Sequence, residues 1–407
     1  MRKILIITPH FWPENFLINI IAKKFAELKI KTTIVTSFPN YPGGKIFSKY
    51  INIKKPFIIE HKENIKIIRF PIYPRKSANS FNLTLNYLSF IKNGYLALKK
   101  LNLKNQFDKI FVYSVSPITS AFLGIYLKNK YKKKISLWIQ DLWPESVRAT
   151  GHVNNFFLIF LIELIVKFIY SRMDNIIVQS EYFINEVKKY TKKKIYVVEN
   201  SHFSTISKNK YKKISRKIDL LLKEKFCITF SGNIGKAQSI KTILDTAKKL
   251  ENIKKIHFLI VGGGSEKENI KGYIKKNDIK NVTLYGPVDP NLALKICKKS
   301  KGVILSLANK KIFKLTIPNK FQTYLNTGVP ILSAAEGIVN DIVKKNKIGF
   351  TSKNESSEKL SINIKKLYKL GKEEKQKIKL NMNLLYKKKF KLENQVQKLI
   401  KIIFNEK

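Results

Sequence analysis

Short apolar segments of strand length alternate with segments of helical periodicity along the first 200 residues. The predicted strands are 3–8, 31–36, 65–70, 109–113, 135–139, 175–179 and 195–198. The predicted helices between them include 15–28, 79–101 and 117–129. Because strands that alternate with helices form parallel sheets covered on both faces, this pattern predicts a doubly wound α/β domain over residues 1–200.

The alternation stops after Asn200 and then begins again. Residues 201–217 are polar and lysine-rich with little apolar periodicity, which predicts a linker. Beyond it the predicted strands are 226–231, 256–261, 282–285, 302–307 and 330–333, and the predicted helices are 239–250, 266–276, 290–299, 318–327 and most of 356–407. A second doubly wound domain over 218–390 is therefore expected, with ligands beyond the carboxyl ends of the strands in a cleft between the two domains.

Basic residues are in large excess, with 79 Lys and Arg against 28 Asp and Glu and a net charge of +51. The lysines are spread over predicted helices and loops, and the aromatic residues lie mostly in apolar segments, whereas single-strand binders expose aromatic residues between cations. We therefore expect a solvated lysine surface and no nucleic-acid partner, although the charge alone keeps a nucleic-acid binder as an alternative. The charge also favours attraction to an anionic membrane surface.

Residues 156–170 form the longest apolar segment, which is shorter than the ~20 residues needed to span a bilayer. Glu163 and Lys167 lie four residues apart, so they would share a helical face and could pair. Two interpretations stay open, a buried helix between domains and a helix that lies in the lipid interface. The amino-terminal apolar run is too short for a secretory signal, and two cysteines, Cys227 and Cys297, suggest a reducing compartment.

Three strand-to-helix loops in the second half are suited to an anion. Loop 231–238 contains two glycines, which let backbone N–H groups approach a ligand closely, and Lys236 adds a cation, although a plain tight turn is the alternative. Loop 261–265 contains three glycines without the dinucleotide fingerprint spacing. Loop 315–320 places Pro318 at a helix start, where free N–H groups favour phosphate and Lys320 supplies a point charge.

In the first half, Asp141 follows a predicted strand and lies between two tryptophans, Trp138 and Trp143. Asp141 either caps the next helix or presents a carboxylate at the cleft mouth, suited to proton transfer with a substrate hydroxyl. The five histidines are scattered and no Asp-x-Asp pair occurs, so no metal site is predicted. A departing diphosphate would then need positive side chains and helix termini.

Four motifs carry a resemblance to a known family. They are Ser-Phe-Pro-Asn-Tyr-Pro-Gly-Gly-Lys at 37–45, Gln-Asp-Leu-Trp-Pro-Glu at 140–145, Phe-Ser-Gly-Asn-Ile-Gly-Lys-Ala-Gln at 230–238 and Thr-Ile-Pro-Asn-Lys-Phe-Gln-Thr-Tyr-Leu at 316–325. With them the chain resembles bacterial family-4 glycosyltransferases of the GT-B type, in which two Rossmann-like domains face each other across a cleft. The resemblance extends over essentially the whole chain. It is nearest to the O-antigen, capsule and colanic-acid enzymes that include N-acetyl-L-fucosamine transferases.

The resemblance implies a function. A sugar, with an N-acetylated deoxy sugar such as FucNAc as one candidate, would move from a UDP-sugar donor to a lipid-diphosphate-linked saccharide acceptor with retention of configuration. No cofactor and no metal would be required. The enzyme would be cytoplasmic and peripheral on the inner face of the membrane, and its last helix, 391–407, would pack back on the first domain.

The resemblance also implies roles for residues at the matching positions. Lys236 and Lys320 would act in catalysis by holding the diphosphate, and Asp141 would lie beside the reacting sugar. The substrate-binding positions would be Glu14 in the first domain and, in the second, Gly232, Asn233, Gly262, Gly264, Pro287, Leu315, Thr316, Gln322 and Thr323. Gly262, Gly264 and Pro287 would line the base and ribose pocket, and Glu14 would face the substrate cleft.

The sequence also departs from the family pattern. Many members carry two glutamates with seven residues between them, where this chain has Leu315 and Thr323, and the second glutamate usually binds the ribose. Asn233 replaces an arginine, and the first loop, 11–16, lacks the usual glycines. These departures keep a second hypothesis open, a catalytically inactive GT-B partner of a glycan assembly complex.

Overall fold

The computed structural model describes residues 1–77, 79–150, 155–201 and 213–406, without the side chain of Thr150. It divides into two compact units. The first is Met1–Glu199 with the C-terminal segment that begins at Glu393, and the second is Asn200–Leu392. Most of the predicted linker 201–217 lies outside the described residues, and its last two residues already belong to a helix.

The first unit contains a sheet of eight strands in the order β3-β4-β2-β1-β5-β6-β7-β8, parallel except for the β3–β4 pair. The strands are β1 (Lys3–Ile7), β2 (Lys31–Ser37), β3 (Ile58–Lys62), β4 (Ile65–Phe70), β5 (Lys109–Ser114), β6 (Lys134–Ile139), β7 (Asn175–Val178) and β8 (Ile195–Val197). The helices between them are α1 (Leu17–Glu27), α2 (Ser80–Lys100), α3 (Ala121–Tyr131), α4 (Glu145–Thr150), α5 (Phe156–Arg172) and α6 (Phe183–Lys188).

Strand β1 shows why this sheet is buried on both faces. Ile4, Leu5, Ile6 and Ile7 are completely buried, as expected for a central parallel strand. Strand β3 is different, because its residues alternate between half-buried and exposed and it pairs antiparallel at the sheet edge. The sequence analysis missed β3, because a polar edge strand lacks the apolar run by which the other strands were recognised.

The second unit contains a fully parallel sheet of six strands in the order β11-β10-β9-β12-β13-β14. Its elements in chain order are α7 (Arg216–Glu224), β9 (Phe226–Ser231), α8 (Ile240–Lys249), β10 (Ile256–Val261), α9 (Lys267–Lys276), β11 (Val282–Tyr285), α10 (Pro290–Lys299), β12 (Gly302–Ser306), α11 (Lys311–Leu315), α12 (Asn319–Leu325), β13 (Ile331–Ala334), α13 (Ile338–Lys345), β14 (Gly349–Thr351), α14 (Ser357–Lys369) and α15 (Lys372–Leu385). The predicted α/β class with two Rossmann-like domains is confirmed.

The last helix, α16 (Leu392–Phe404), packs on the first unit. Val396, Leu399, Ile400 and Ile403 are buried along one side of it. Asn175 on β7 donates from Nδ2 to the Ile402 carbonyl at 3.1 Å. The apolar face of α16 therefore completes the core of a unit that begins almost 400 residues earlier.

Helix α5 buries one face and exposes the other. Ile159, Val166, Ile169 and Tyr170 are buried. The exposed apolar residues are Phe156, Phe157, Leu158, Phe160, Leu161, Leu164 and Phe168. The interpretation of a fully buried helix is therefore wrong. Glu163 pairs with Arg148 at 2.7 Å rather than with Lys167. No helix in the described parts of the chain is long and apolar enough to cross a membrane.

Candidate functional site

The first two glycine loops of the second unit lie side by side at the carboxyl end of its sheet. Strands β9 and β10 are parallel neighbours that bring Ser231 opposite Val261. The Gly232 N–H donates to the Val261 carbonyl at 2.9 Å, and the Ile234 N–H donates to the Gly263 carbonyl at 2.8 Å. The two loops therefore form one hydrogen-bonded layer at the end of the strands.

Glycine is required in this layer because the backbones approach each other too closely for a side chain. Gly262 has φ of +148°, and a Cβ there would lie 1.9 Å from the Gly232 carbonyl oxygen. Gly264 has φ of +157°, and its Cβ would lie 2.3 Å from the Ile234 carbonyl oxygen. Gly232 itself has φ of +145°, and its bare side faces Lys320, whose Nζ would lie 3.4 Å from an added Cβ.

Lys320 is the principal charged group beside these loops. The residue is half-buried, but its Nζ atom is enclosed and has no hydrogen-bond partner within the described residues. Nζ lies 4.1 Å from the centre of the Phe230 ring. Burial lowers the pKa of this amine to about 7. Because a buried ammonium without a partner is costly, this position favours an anion that would supply the missing hydrogen bonds.

Tyr324 attaches the helix that carries Lys320 to the end of β9, and the sequence analysis did not assign it a role. Its buried hydroxyl accepts from the Ser231 N–H at 2.9 Å and donates to the Ser231 carbonyl at 3.3 Å. Burial raises the pKa of this hydroxyl well above its ordinary value. Lys320 and Tyr324 lie four residues apart on α12, so both face the end of β9. The four-residue spacing of Lys320 and Tyr324 within the motif 316–325 could have indicated from the sequence that the two side chains share a helix face.

Lys236 lies in different surroundings. It begins a short 3₁₀ turn, Lys236–Gln238, and its side chain is exposed. It lines a pocket of about 290 Å³ together with residues of α8 and α9, among them Leu244 and Tyr273, and Lys320 is not part of that lining. The structure therefore encloses one of the two predicted lysines and leaves the other in solvent, and the role of Lys236 stays a prediction.

Two further predicted residues of the second unit lie against the glycine loops. The Asn233 amide lies against Gly235 and Gly264, within 3 Å of the position that a Cβ at either glycine would take. Pro287 packs beside Gly263, whose added Cβ would lie 3.6 Å from the proline ring. These positions are consistent with a pocket lining near 261–265.

Other predicted positions of the second unit use their side chains within their own helices. Thr316 Oγ1, just beyond Leu315 at the end of α11, donates to the Ile312 carbonyl at 2.8 Å. Thr323 Oγ1 donates to the Asn319 carbonyl at 3.3 Å. Gln322 is buried, and its Nε2, oriented to suit its neighbours, donates to the carbonyls of Pro318 and Asn319. The structure gives Gln322 a helix-start role rather than an open substrate-facing one.

Glu14 in the first unit is only 3% exposed and does not present a free carboxylate. Its Oε1 accepts from the backbone N–H groups of Asn40 and Tyr41 at 2.9 and 2.7 Å. His10 Nδ1 lies 3.0 Å from Oε2. The expectation that Glu14 faces the substrate is therefore not supported, because the carboxylate joins loop 11–16 to loop 37–45.

Asp141 joins two neighbouring strand ends of the first unit. Its Oδ2 accepts from the Ser116 N–H at 2.8 Å, and Trp143 Nε1 donates to the Ser116 hydroxyl at 3.1 Å. Helix α4 begins at Glu145, and the recorded bond of Asp141 goes to Ser116, so the helix-cap interpretation is not supported. Contact with a substrate hydroxyl stays a prediction for this half-buried carboxylate.

Within the described ranges, no group of three or more His, Cys, Asp or Glu side chains is placed to hold a metal ion. Cys227 and Cys297 are both free and buried, and burial raises the pKa of the Cys227 thiol to about 11 and that of Cys297 to about 12.

Residues 211–382 match the family model described as glycosyl transferases group 1. A curated Pseudomonas aeruginosa protein named probable glycosyltransferase WbjE is 21% identical over 284 residues, which cover 65% of this chain and 66% of that protein. The chain thus spans just under two thirds of that relative's length. The second unit is therefore similar to the group 1 glycosyltransferases, and these matches support a transferase of glycosyl groups.

Three solved structures share the fold of the whole chain. Sucrose-phosphate synthase from Thermosynechococcus elongatus matches with a TM-score of 0.68 and 14% identity, covering 98% of this chain and 97% of its own. Anabaena HepE in complex with UDP and glucose gives 0.66 and 12%, with both chains fully covered. WaaG, a glycosyltransferase involved in lipopolysaccharide biosynthesis, gives 0.63 and 10%, covering 98% and 99%. These matches show the GT-B fold.

The close approach at Gly262 predicts a stability effect. Gly262→Ala forces the new Cβ against the Gly232 carbonyl at a positive φ, so we expect the second unit to lose about 1–3 kcal/mol of unfolding free energy. Gly263→Ala is the matched control, because its Cβ meets only ordinary contacts at 3.6 Å. Urea unfolding of both variants checks this, and equal midpoints would contradict the predicted crowding.

The enclosed amine of Lys320 predicts a pH-dependent stability. With a pKa of about 7 when folded and 10.5 when unfolded, the ligand-free folded chain binds fewer protons between these values, so its stability rises with pH there. Lys320→Met should therefore stabilise the chain by about 2–4 kcal/mol at pH 6 and by less at pH 9. Chemical unfolding at both pH values measures this. Exposed Lys236→Met is the control, and a Lys320→Met chain no more stable than wild type at pH 6 would contradict the burial cost.

Proposed function

We propose that this chain transfers a sugar from a UDP-sugar to a lipid-diphosphate-linked saccharide, with retention of configuration, in surface polysaccharide biosynthesis. The observation that carries the proposal is the enclosed Nζ of Lys320, which lies beside Gly232 without a hydrogen-bond partner in the described chain. A diphosphate supplies the negative charge that this amine needs. We further propose that catalysis needs no divalent metal or cofactor.

The donor proposal rests on the chemistry of the second unit. Lys320 provides a charge, and the bare side of Gly232 allows a phosphate oxygen to approach backbone and amine together. Among the structural neighbours, HepE is described in complex with UDP and glucose, and an Escherichia coli trehalose-6-phosphate protein is described as bound with UDP-2-fluoro glucose. These descriptions support UDP as the leaving group.

The proposed reaction breaks the bond between the anomeric carbon and the β-phosphate oxygen and forms a bond from that carbon to the acceptor hydroxyl oxygen. The proton of the acceptor hydroxyl passes to the departing β-phosphate oxygen, and UDP leaves with the electron pair of the broken bond. Because negative charge grows on the diphosphate as it departs, a preplaced cation such as Lys320 stabilises the transition state more than the ground state. Lys236 would add a second, solvent-exposed charge, and Asp141, oriented by the Ser116 N–H, would contact the sugar or the hydroxyl.

The acceptor and the sugar are inferred from the resemblance and from the names of similar proteins. WbjE is named a probable glycosyltransferase, and WaaG is described as involved in lipopolysaccharide biosynthesis. We infer an O-antigen or capsule acceptor on a lipid diphosphate, with FucNAc as one candidate sugar of family 4. The position of the ribose-binding glutamate is Thr323, whose hydroxyl donates to the Asn319 carbonyl, so we infer that the 261–265 loop contributes to ribose contact.

A membrane location is proposed from a continuous exposed surface on the first unit. Helix α3 connects α2 and α5 through ring contacts, Tyr95 with Tyr126 at 4.9 Å and Phe122 with Phe168 at 6.1 Å. Beside the exposed apolar residues of α5, the exposed large apolar side chains of α2 are Phe81, Leu88, Tyr95 and Leu96. Exposed aromatic side chains on helices that also expose lysines, such as Lys92 and Lys167, suit the interface of an anionic membrane, which supports a peripheral location at its cytoplasmic face.

A catalytically inactive partner of a glycan assembly complex is the second candidate. It is favoured by the absence of the glutamate pair, since Thr323 offers a hydroxyl that bonds to its own helix. A thermal-shift and transfer screen against UDP-, GDP- and dTDP-sugars separates the two candidates, because ligand binding raises the apparent stability. No shift and no transfer with any donor, together with binding to a partner enzyme, would favour the inactive candidate.

The two lysines make a matched prediction on turnover. Lys236→Ala and Lys320→Ala each remove a cation from the departing diphosphate, so we expect each to raise the barrier by roughly 2–4 kcal/mol and to lower kcat accordingly. Lys241→Ala is the control, because Lys241 lines the same pocket as Lys236 but lies over the Tyr273 ring. Steady-state kinetics test this, and a wild-type kcat for either alanine variant would remove that lysine from the mechanism.

The exposed aromatic residues of α5 make a prediction on membrane binding. Phe157 is 64% exposed and Phe160 45%, so replacing both with serine should weaken binding to phosphatidylglycerol vesicles at least about 10-fold through lost apolar burial. The control replaces Leu380 and Leu384, equally exposed on α15 of the second unit, with serine. Vesicle co-sedimentation measures both, and an equal loss in the two double variants would show that α5 is not the contact.

A further inference from the structure

Three loops meet at the carboxyl end of the first sheet around Arg75. They follow β1, β2 and β4 and carry His10 with Glu14, Asn40 with Tyr41, and Arg75 itself. We propose that Arg75 binds a phosphate group of the lipid-linked acceptor, with His10 and Glu14 as its positioning residues. The inference deepens the proposed function and rests on it for the identity of the acceptor.

A chain of hydrogen bonds fixes the imidazole of His10. Glu14 can only accept hydrogen bonds when ionised, so His10 Nδ1, 3.0 Å from Oε2, carries a proton and donates it. The His10 ring stacks on Phe16 with centroids 4.7 Å apart, which holds its plane. Nε2 is thereby left as an acceptor, and Arg75 Nη1 lies 3.4 Å from it. The dyad thus orients the guanidinium without neutralising its charge.

The backbone around Arg75 is held by the motif at 37–45. The Arg75 N–H donates to Asn40 Oδ1 at 3.3 Å, and the Lys76 N–H donates to the Gly44 carbonyl at 2.8 Å. Gly44 has φ of +69°, and a Cβ there would lie 2.1 Å from the Lys76 carbonyl oxygen. The glycine of this motif is therefore needed so that the loop after β2 can lie directly against the loop that carries Arg75.

Arg75 has no carboxylate partner within the described residues, whereas Arg69 in the same unit has one. Arg69 is buried and its Nε lies 2.6 Å from Glu60, which makes it a structural ion pair. Arg75 is half-buried, forms no salt bridge with a described carboxylate, and lies over the Tyr41 ring at 5.8 Å. The nearby Glu14 carboxylate already accepts from His10, Asn40 and Tyr41. A held guanidinium without a carboxylate is suited to bind phosphate through two parallel hydrogen bonds.

Tyr87 places Arg75 near the loop of Asp141. Burial raises the pKa of the Tyr87 hydroxyl, while the charge of Arg75 lowers it and the charge of Asp141 raises it. Arg75 and Asp141 therefore both lie close enough to the Tyr87 hydroxyl to influence its pKa. The Tyr87 ring also lies 6.3 Å from that of Trp143, in the Asp141 motif. A phosphate on Arg75 would thus lie in the same part of the first unit as the carboxylate proposed to contact the sugar.

The test measures binding of farnesyl diphosphate to the full chain by titration calorimetry. Lys320→Met is the parent background, because it removes the donor-side cation. We expect Arg75→Gln to weaken binding about 10- to 100-fold, the size of a lost charged hydrogen bond. Lys31→Gln, which removes an exposed lysine at the opposite end of β2, should leave binding unchanged. Arg75→Lys should recover part of the affinity, since lysine keeps the positive charge but cannot form the two parallel hydrogen bonds of a guanidinium.

The positioning role of His10 has its own readout. His10→Asn should weaken farnesyl diphosphate binding when Arg75 is present and cause no further loss when it is added to Arg75→Gln, because His10 acts only through the guanidinium. Equal affinity of the Arg75→Gln and Lys31→Gln chains, or no saturable binding by the parent, would overturn the inference. So would additive losses for His10→Asn and Arg75→Gln.

Two further arms distinguish an acceptor phosphate from a lipid headgroup. Arg75→Gln should bind phosphatidylglycerol vesicles as the wild type does, and in transfer assays it should raise KM only for a saccharide on farnesyl diphosphate, not for the phosphate-free farnesyl glycoside. Weaker vesicle binding with unchanged farnesyl diphosphate binding would overturn the assignment. Because the titration involves no sugar transfer, a wild-type chain that transfers no sugar would remove the proposed function without deciding this inference.

Discussion

An ammonium group costs free energy when it is held away from water. The Lys320 amine is enclosed beside Gly232 and 4.1 Å from the centre of the Phe230 ring, without a hydrogen-bond partner among the described residues. The end of the second sheet is arranged around this amine. The Tyr324 hydroxyl binds the Ser231 backbone and so attaches α12 to β9. Because Gly232 and Gly262 have no side chains, their backbones approach closely and leave space for a ligand to contact the Lys320 amine. The unpaired charge is a cost to the ligand-free chain that a diphosphate would offset.

The fold followed closely from periodicity, because buried parallel strands are continuous apolar runs. Strands such as Phe226–Ser231, Ile256–Val261 and Val282–Tyr285 have the bounds that the pattern predicts. Elements without such runs were missed. Strand β3 alternates between half-buried and exposed residues at an edge, and α7 begins inside the lysine-rich stretch that the sequence analysis assigned to a linker. A continuous apolar run reports a strand that is buried on both faces, so it does not mark a strand at a sheet edge.

The grouping of Gly232, Gly262 and Lys320 at one sheet edge followed from the sequence, whereas the surroundings of the candidate residues in the first unit did not. Loops that follow parallel strands lie at the same edge of a sheet, so the positions of Gly232, Gly262 and Lys320 could be predicted together. Glu14 accepts hydrogen bonds from the backbone of Asn40 and Tyr41, which are distant in the sequence. Gln322 donates to two backbone carbonyls at the start of its own helix. The sequence alone does not show that these side chains are already hydrogen-bonded. Arg75 and His10 were not predicted for the same reason. Whether the guanidinium of an arginine is paired with a carboxylate becomes known only from the structure.

Proton uptake on UDP binding is the most direct test of the account. At pH 8 the Lys320 amine, with a pKa of about 7, is mostly neutral, and a bound diphosphate must raise that pKa. Titration calorimetry with UDP in buffers of different ionisation enthalpy should therefore show uptake of about one proton per UDP by the wild type and almost none by Lys320→Met, which should also bind more weakly. Equal affinity and equal proton exchange in the two chains would contradict the claim that this amine binds the diphosphate.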